Sequence, residues 1–170
     1  MTFADGAIVD AVARAPRHEF SKSPTACIAL LAGFGVAGDA RAGTTVRHRS
    51  RVVVDPRQLN LRQVHLVHVE LFDDLRRQGF DLAPGDIGEN VLTRGLALLD
   101  LPAGTWLRLG ATAIVELTGL RNPCAQLDHF QRDLTKAMID RAPDGAIVHK
   151  SGVMAIVIAD GVVAAGMVSK

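Results

Sequence analysis

LPAGTWLRLGATAIVELTGLRNPCAQLDHF, residues 101–130, carries two hydrophobic rhythms and the switch between them. TWLRLG and ATAIVELTG are short, rich in Val, Ile, Leu and Thr, and set off by Pro102-Ala103-Gly104 and Gly110, so they read as strands. Beyond Pro123 the spacing changes. Leu127, Phe130, Leu134, Ala137 and Met138 recur at intervals of three and four, which predicts a helix over about 123–141. The switch falls on RNPC, so one of the chain's two cysteines sits directly after a proline at a strand-to-helix corner.

Outward from this stretch, GAIVDAVA (6–13), ACIALLAG (26–33), RSRVVVD (49–55), RQVHLVHV (62–69) and GENVLTRGL (88–96) also read as strands. Asp160-Gly161 lies between AIVI and VVAAGMV, where a hairpin turn is expected. VELFDDLRRQG (69–79) differs: Leu71, Phe72 and Leu75 share a helical face, charges cover the other, and Gly79 stands at the C-terminal cap. Many short strands and few helices predict a mainly β fold, a barrel or sandwich with a few short helices, rather than a parallel α/β sheet. No repeat or low-complexity linker is visible, and 170 residues suit a single domain, 1–170.

The chain is 48% hydrophobic and 22% charged, with 16 Gly and 7 Pro, a globular and turn-rich composition. A net charge of +1 and 4% aromatic residues provide neither the electrostatic footprint nor the stacking platforms of a nucleic-acid binder, so no such partner is expected. Asp160 and its turn split the apolar run 152–168 into two strand-length pieces, which argues against a membrane span. MTFADGAIVDAVARAP lacks the pattern of a secretory signal, and the expected location is the cytoplasm. Free thiols are then expected rather than a disulfide.

Several motifs lead away from chemistry. GFGVAGD (33–39) has the spacing of a dinucleotide-binding loop, but DARAGTTVRHRS after it shows no helical period to meet a pyrophosphate. It reads as a Gly-rich β connection, or as exposed amides holding an anion beside Arg41, Arg47, His48 and Arg49. GDIGEN (85–90) lacks the Lys-Ser/Thr of a P-loop and reads as a turn into the next strand. His65 and His68 would face opposite sides of a strand, which argues against a metal pair. No serine sits in a G-x-S-x-G elbow, and no histidine sits in a recognisable companion motif for a papain-like cysteine.

The two cysteines read differently. Cys27, inside CIALLA, is expected to be a small buried hydrophobe. Cys124 follows Asn122, a good N-cap, and Pro123, suited to the first helical position. That would put the thiol in a first helical turn beside Arg121, where a thiolate is stabilised for nucleophilic, sulfur-transfer or soft-metal chemistry. The alternative is that Pro-Cys simply packs at the corner.

The ordered set KSPTACIALLAGFGVAGDARAG, RQVHLV, GDIGENVLTRGL, LPAGTWLRLGATAIVELTGLRNPCAQLDHF and HKSGVMAIVIADGVVAAG resembles the MOSC domain, named for the C-terminal domain of molybdenum cofactor sulfurases. The likeness spans about residues 9–168. It implies a MOSC-type β-barrel that binds the molybdenum cofactor, in which the family's cysteine, matched by Cys124, ligates the metal or carries a persulfide. Sulfur transfer or reduction of N-hydroxylated compounds would follow. Arg121 and Asn122 would contact an anionic pterin phosphate or substrate through charge-assisted hydrogen bonds. Glu89 and Asn90 would serve either the ligand or the fold. Lys22, Arg41 and Arg62 lie in the motif-bearing stretches as further candidate contacts.

Relatives often read G-D-x-H where this chain has Arg41, which puts any role of that imidazole in doubt. The 170 residues carry no aminotransferase-like desulfurase module, hence no pyridoxal phosphate site, and no flavin or iron–sulfur reductase module. A sulfur or electron donor protein is therefore an expected partner. The rival expectation is a non-catalytic β-barrel module binding a small molecule or a protein, with Cys124 incidental.

Overall fold

The computed structural model describes residues 6–45, 54, 55 and 57–168. Among these the chain runs through β1 (Ile8–Arg14), β2 (Ser23–Thr25), β3 (Cys27–Leu31), β4 (Gly35–Val36), β5 (Val64–His68), helix α1 (Val69–Arg77) and β6 (Val91–Arg94). A 3-10 turn at Leu98–Asp100 leads to β7 (Trp106–Leu109), β8 (Ala113–Leu120) and the short helices α2 (Gln126–Phe130) and α3 (Leu134–Ala137). β9 (Ile139–Arg141), β10 (Ile147–His149), β11 (Val153–Ala159) and β12 (Gly161–Ala164) follow. The fold is mainly β with short helices, as expected. The strand expected at RSRVVVD lies outside the described residues except for Val54 and Asp55, neither of which is in a strand.

Seven strands form one sheet in the order β2-β1-β6-β5-β11-β8-β7, while β12-β3-β4 and β10-β9 are separate. Among the described residues the strands therefore make open sheets rather than a closed barrel, with β2 and β7 as edges of the largest. All its pairings are antiparallel except β5 with β6, which α1 connects. A parallel pair needs such a crossover. The registers Val12↔Val91, Leu66↔Val91, Val153↔Leu66 and Val153↔Leu120 set five residues in one row across the sheet.

Both faces of the central strands are covered, which explains their nearly unbroken apolar runs. Leu66 and Val91 face a core with Ile28, Leu30 and Val163. Val67 and Leu92, their neighbours on β5 and β6, face a second core with Leu71, Phe72 and Leu75 of α1 and with Leu127, Leu134 and Met138. The expected cap of α1 forms: the Gly79 and Phe80 amides donate to Arg76 O and Leu75 O, at 3.0 and 2.9 Å, with Gly79 at φ 93°.

Three expectations are corrected. Asp160-Gly161 does not close a hairpin: β11 stays in the large sheet and β12 pairs with β3. Asp160 Oδ1 instead accepts the Ala32 N–H at 2.6 Å, which ties the turn to the segment after β3. The helix expected over 123–141 is broken between α2 and α3 at Asp133, which has φ 67°. There Asp128 Oδ1 accepts the Thr135 N–H at 2.8 Å, while Leu127 and Leu134 remain buried on either side. Cys27 is exposed, not buried, because strand alternation turns Ile28 and Leu30 inward and leaves Cys27 outward. Both cysteines are free thiols, as expected.

Candidate functional site

RNPC continues directly from β8. The Arg121 N–H donates to Gly152 O at 2.8 Å, extending the β8–β11 pairing by one step. The Ser151 hydroxyl donates to Arg121 O at 2.8 Å, and the Arg121 guanidinium donates through NH1 to Ile87 O at 3.1 Å. Arg121, three residues before Cys124, is thus held on both sides by buried partners.

Helix α2 begins only after Ala125, so neither Asn122 nor Pro123 has the capping place expected of it. The Cys124 carbonyl is the first acceptor there, taking the Leu127 N–H at 3.0 Å and the Thr135 hydroxyl at 3.2 Å. Cys124 lies two residues ahead of a five-residue helix, not in its first turn. The helix-terminus argument for its thiolate falls away. The thiol is half-buried and opens on a cleft of about 320 Å³ lined by His18, Glu19, Arg41, Cys124, Ala125, Gln126 and His129.

Beneath the cleft the cations gather. Arg121 is buried, and burial, followed by the charge of Arg41, pulls its guanidinium down to about 10, with Arg62 adding in the same direction and Cys124 and Glu89 opposing. Lys22 is 6% exposed, and burial lowers its ammonium to about 8 against the attraction of Asp39. Lys22 Nζ lies 2.9 Å from Asp39 Oδ2, a buried ion pair that occupies one of the three donors of the ammonium. Burial would raise the Asp39 carboxyl, yet Lys22 and the amides of Arg41 and Ala15 hold it below its ordinary value.

Asn90 organises this floor. Its side-chain amide donates to Ala13 O and Asp39 Oδ2, both at 3.1 Å, and its Oδ1 accepts the His65 N–H at 3.1 Å. One carboxamide thereby joins β1, β5, the start of β6 and the carboxylate that pairs with Lys22. Glu89 is also buried: Oε1 accepts the Gly85 N–H, Oε2 has no partner within the protein, and burial pushes the carboxyl up to about 7. GDIGEN is a turn into β6, as expected. Its Gly85 has φ 88° and a side chain there would come within 2.0 Å of Lys22 O, so only glycine allows the loop to meet the Lys22 backbone.

His65 lies at the same level. Its Nε2 is 2.7 Å from Ser151 O, and because a carbonyl only accepts, Nε2 carries the hydrogen. Burial, then the Arg121 charge, keeps this ring well below the ordinary imidazole range, and Nδ1 has no partner within the protein. His65 is therefore a neutral support for Ser151. Among the described residues no group of three or more His, Cys, Asp or Glu is placed to hold a metal ion.

The structure thus brings Cys124 and Arg41 to one cleft, with Arg121 and Lys22 buried below it and Arg62 near enough to act on Arg121. Asn122 is exposed. Glu89 and Asn90 lie in the interior and do not line the cleft. Arg47, His48 and Arg49, named with the glycine stretch, lie outside the described residues. GFGVAGD itself contains β4, and residues 40–45 after it are in no helix, while 46–53 lie outside the described residues. Sequence reasoning missed Asp39, Ser151, His18, Glu19, Gln126 and His129. Asp39 and Ser151 sit inside quoted motifs, whereas nothing in the local pattern marks His18 or Glu19.

No curated protein sequence matches the chain. Among solved structures it is similar to the YuaD protein of Bacillus subtilis, at 22% identity and a TM-score of 0.75, with 94% of this chain and 91% of that one covered. YiiM of Geobacillus stearothermophilus is similar at 22% identity and TM-score 0.63, covering 95% and 72%. YiiM of Escherichia coli is similar at 21% identity and TM-score 0.61, covering 100% and 69%. At these identities the likeness establishes the fold. The MOSC domain model matches residues 42–168, which takes in Arg62, GDIGEN, RNPC and HKSG, and the chain belongs to the MOSC domain family.

Proposed function

We propose that the chain binds a molybdenum cofactor in the cleft at Cys124, with the thiolate as a metal ligand or as a persulfide carrier. The MOSC family is associated in general with molybdenum-cofactor binding and sulfur transfer. The observation that carries the proposal is the pairing of a half-buried thiol with the buried cations Lys22 and Arg121; Asp39 meets one of the three N–H donors of the Lys22 ammonium, which leaves it capacity for an anion. A buried, incompletely satisfied cation is costly by itself and gains from an anion. The residues fit a group with an anionic phosphate and a soft metal: Arg41, in the lining, would meet the phosphate, the buried charges of Lys22 and Arg121 would favour it from behind the lining with Arg62 nearby, and Cys124 would meet the metal.

When bound, that group supplies two-electron redox chemistry at molybdenum. The chain's own residues do the rest. Asp39, held by Asn90 and two backbone amides, keeps Lys22 in place. Ile87 O holds the Arg121 guanidinium, and the Ser151 hydroxyl fixes the Arg121 backbone carbonyl. As a sulfur carrier, the Cys124 thiolate would attack the outer sulfur of a donor persulfide; the donor's S–S bond breaks, its thiolate leaves, and Cys124 holds the new persulfide. Reduction of an N-hydroxylated compound is the other outcome, with electrons from a partner protein.

The cofactor reading is tested on protein isolated from a cofactor-producing host, by the fluorescence of pterin released on acid oxidation. Near-stoichiometric pterin is expected in the wild type and a several-fold lower yield in Lys22→Met. Wild-type protein without pterin would overturn the reading.

A further inference from the structure

Four polar side chains other than Arg41 and Cys124 line the cleft: His18, Glu19, Gln126 and His129. His129 is set apart by one bond. Its Nδ1 lies 3.0 Å from Ala125 O, one turn back. A carbonyl oxygen accepts and never donates, so Nδ1 carries a hydrogen in the neutral ring and in the charged one alike. Proton exchange is therefore confined to Nε2, which has no hydrogen-bond partner among the described residues. The same bond fixes the plane of the ring beside the mouth of the cleft. α2 is itself tied to Cys124, whose carbonyl accepts the Leu127 N–H, so ring and thiol sit on one hydrogen-bonded turn.

The alternatives on this wall lack one property or another. The Arg41 guanidinium does not release protons near neutral pH, and the Gln126 carboxamide does not titrate. No hydrogen bond orients the exposed His18 ring. Glu19 is an exposed carboxylate, and Glu89, below, does not reach the cleft lining. Imidazole is the side chain whose charge ordinarily changes near neutral pH.

We infer that His129 is the proton donor of the cleft, delivering through Nε2 a proton to the oxygen of a bound N-hydroxylated substrate; this rests on the cofactor reading above. For hydroxylamine the balance is NH2OH + 2 H+ + 2 e− giving NH3 + H2O: the N–O bond breaks, nitrogen is reduced, and the oxygen leaves as water. A low-potential one-electron donor supplies two electrons in turn, His129 supplies one proton, and solvent supplies the other and reprotonates Nε2. Arg41, Glu19, His18 and Cys124 are the charged and titratable groups sharing the cleft with the ring.

His129→Asn tests the assignment, because the asparagine amide can still donate to Ala125 O while the Nε2 position is gone. Molybdenum content is measured for both proteins, then hydroxylamine reduction with reduced methyl viologen from pH 5.5 to 8.5. The variant is expected to keep its metal, to lose a factor of about 100 in rate, and to show a flatter pH–rate profile than the wild type. His18→Gln is expected to keep both rate and profile. Independently of activity, a long-range proton–nitrogen spectrum of the cofactor-free protein at high pH is expected to show His129 protonated at Nδ1 only. Protonation at Nε2 instead, or unchanged rate and profile in a metal-replete His129→Asn, would overturn this inference alone. Wild-type protein without molybdenum would overturn the cofactor reading and this one with it.

Discussion

The buried network beside the cleft and the exposed wall of the cleft are built on opposite plans. Below, Lys22, Asp39, His65, Asn90, Arg121 and Ser151 are buried and bonded to one another or to the backbone of the central strands. Above, His18, Glu19, Gln126 and His129 are exposed, and His129 is the one of the four held to the backbone by a side-chain hydrogen bond. A buried network in low dielectric fixes charges in place, at high cost if any member is removed. An exposed wall adds little to stability and is free to meet ligand and solvent. The contrast separates a network that holds its charges fixed from a wall open to ligand and solvent.

The largest effect should come from Asp39→Ala. It removes the partner of a buried ammonium and an acceptor of Asn90, and is expected to cost about 3–5 kcal/mol. For a chain of this length that lowers the thermal midpoint by roughly 10 °C. A midpoint within a degree of wild type would break the comparison outright.

Glu89→Gln sharpens the comparison through pH. The carboxyl is raised from an ordinary 4.5 to about 7 in the folded chain, so folding favours its protonated form. Its contribution is fully present below pH 4.5 and lost as pH rises to about 7. Glutamine mimics the protonated group at every pH. Denaturant titrations should therefore show the variant gaining on wild type by roughly 3 kcal/mol between these limits. A difference independent of pH would mean that Glu89 is not buried as an acid.

Ser151→Ala should cost about 1–2 kcal/mol, because Arg121 O loses a buried donor. Smallest of all, His18→Gln and Glu19→Gln should stay within about 0.5 kcal/mol of wild type in urea melts. Wall substitutions as damaging as Ser151→Ala would erase the distinction.

The strands and α1 were legible because alternation, apolar spacing and a glycine cap are local signals. The break in the second helix was not, since it turns on Asp128 reaching seven residues ahead to the Thr135 amide. Cys27 was misjudged because an apolar neighbourhood does not say which face of a strand is covered. At the site, Cys124, Arg121 and Arg41 were found through motif order. The Lys22–Asp39 pair and the Asn90 hub depend on contacts 17 to 77 residues apart in the chain, which no spacing rule reveals. His18 and Glu19 reach the cleft by the path of a loop.

The central claim is that Cys124 holds a molybdenum-bearing group. Its most direct test is elemental molybdenum per chain in protein purified anaerobically from a molybdate-fed, cofactor-producing host, with Cys124→Ser alongside. The account predicts near-stoichiometric metal in the wild type and its loss in the variant. Equal metal in both, or none in either, would contradict it.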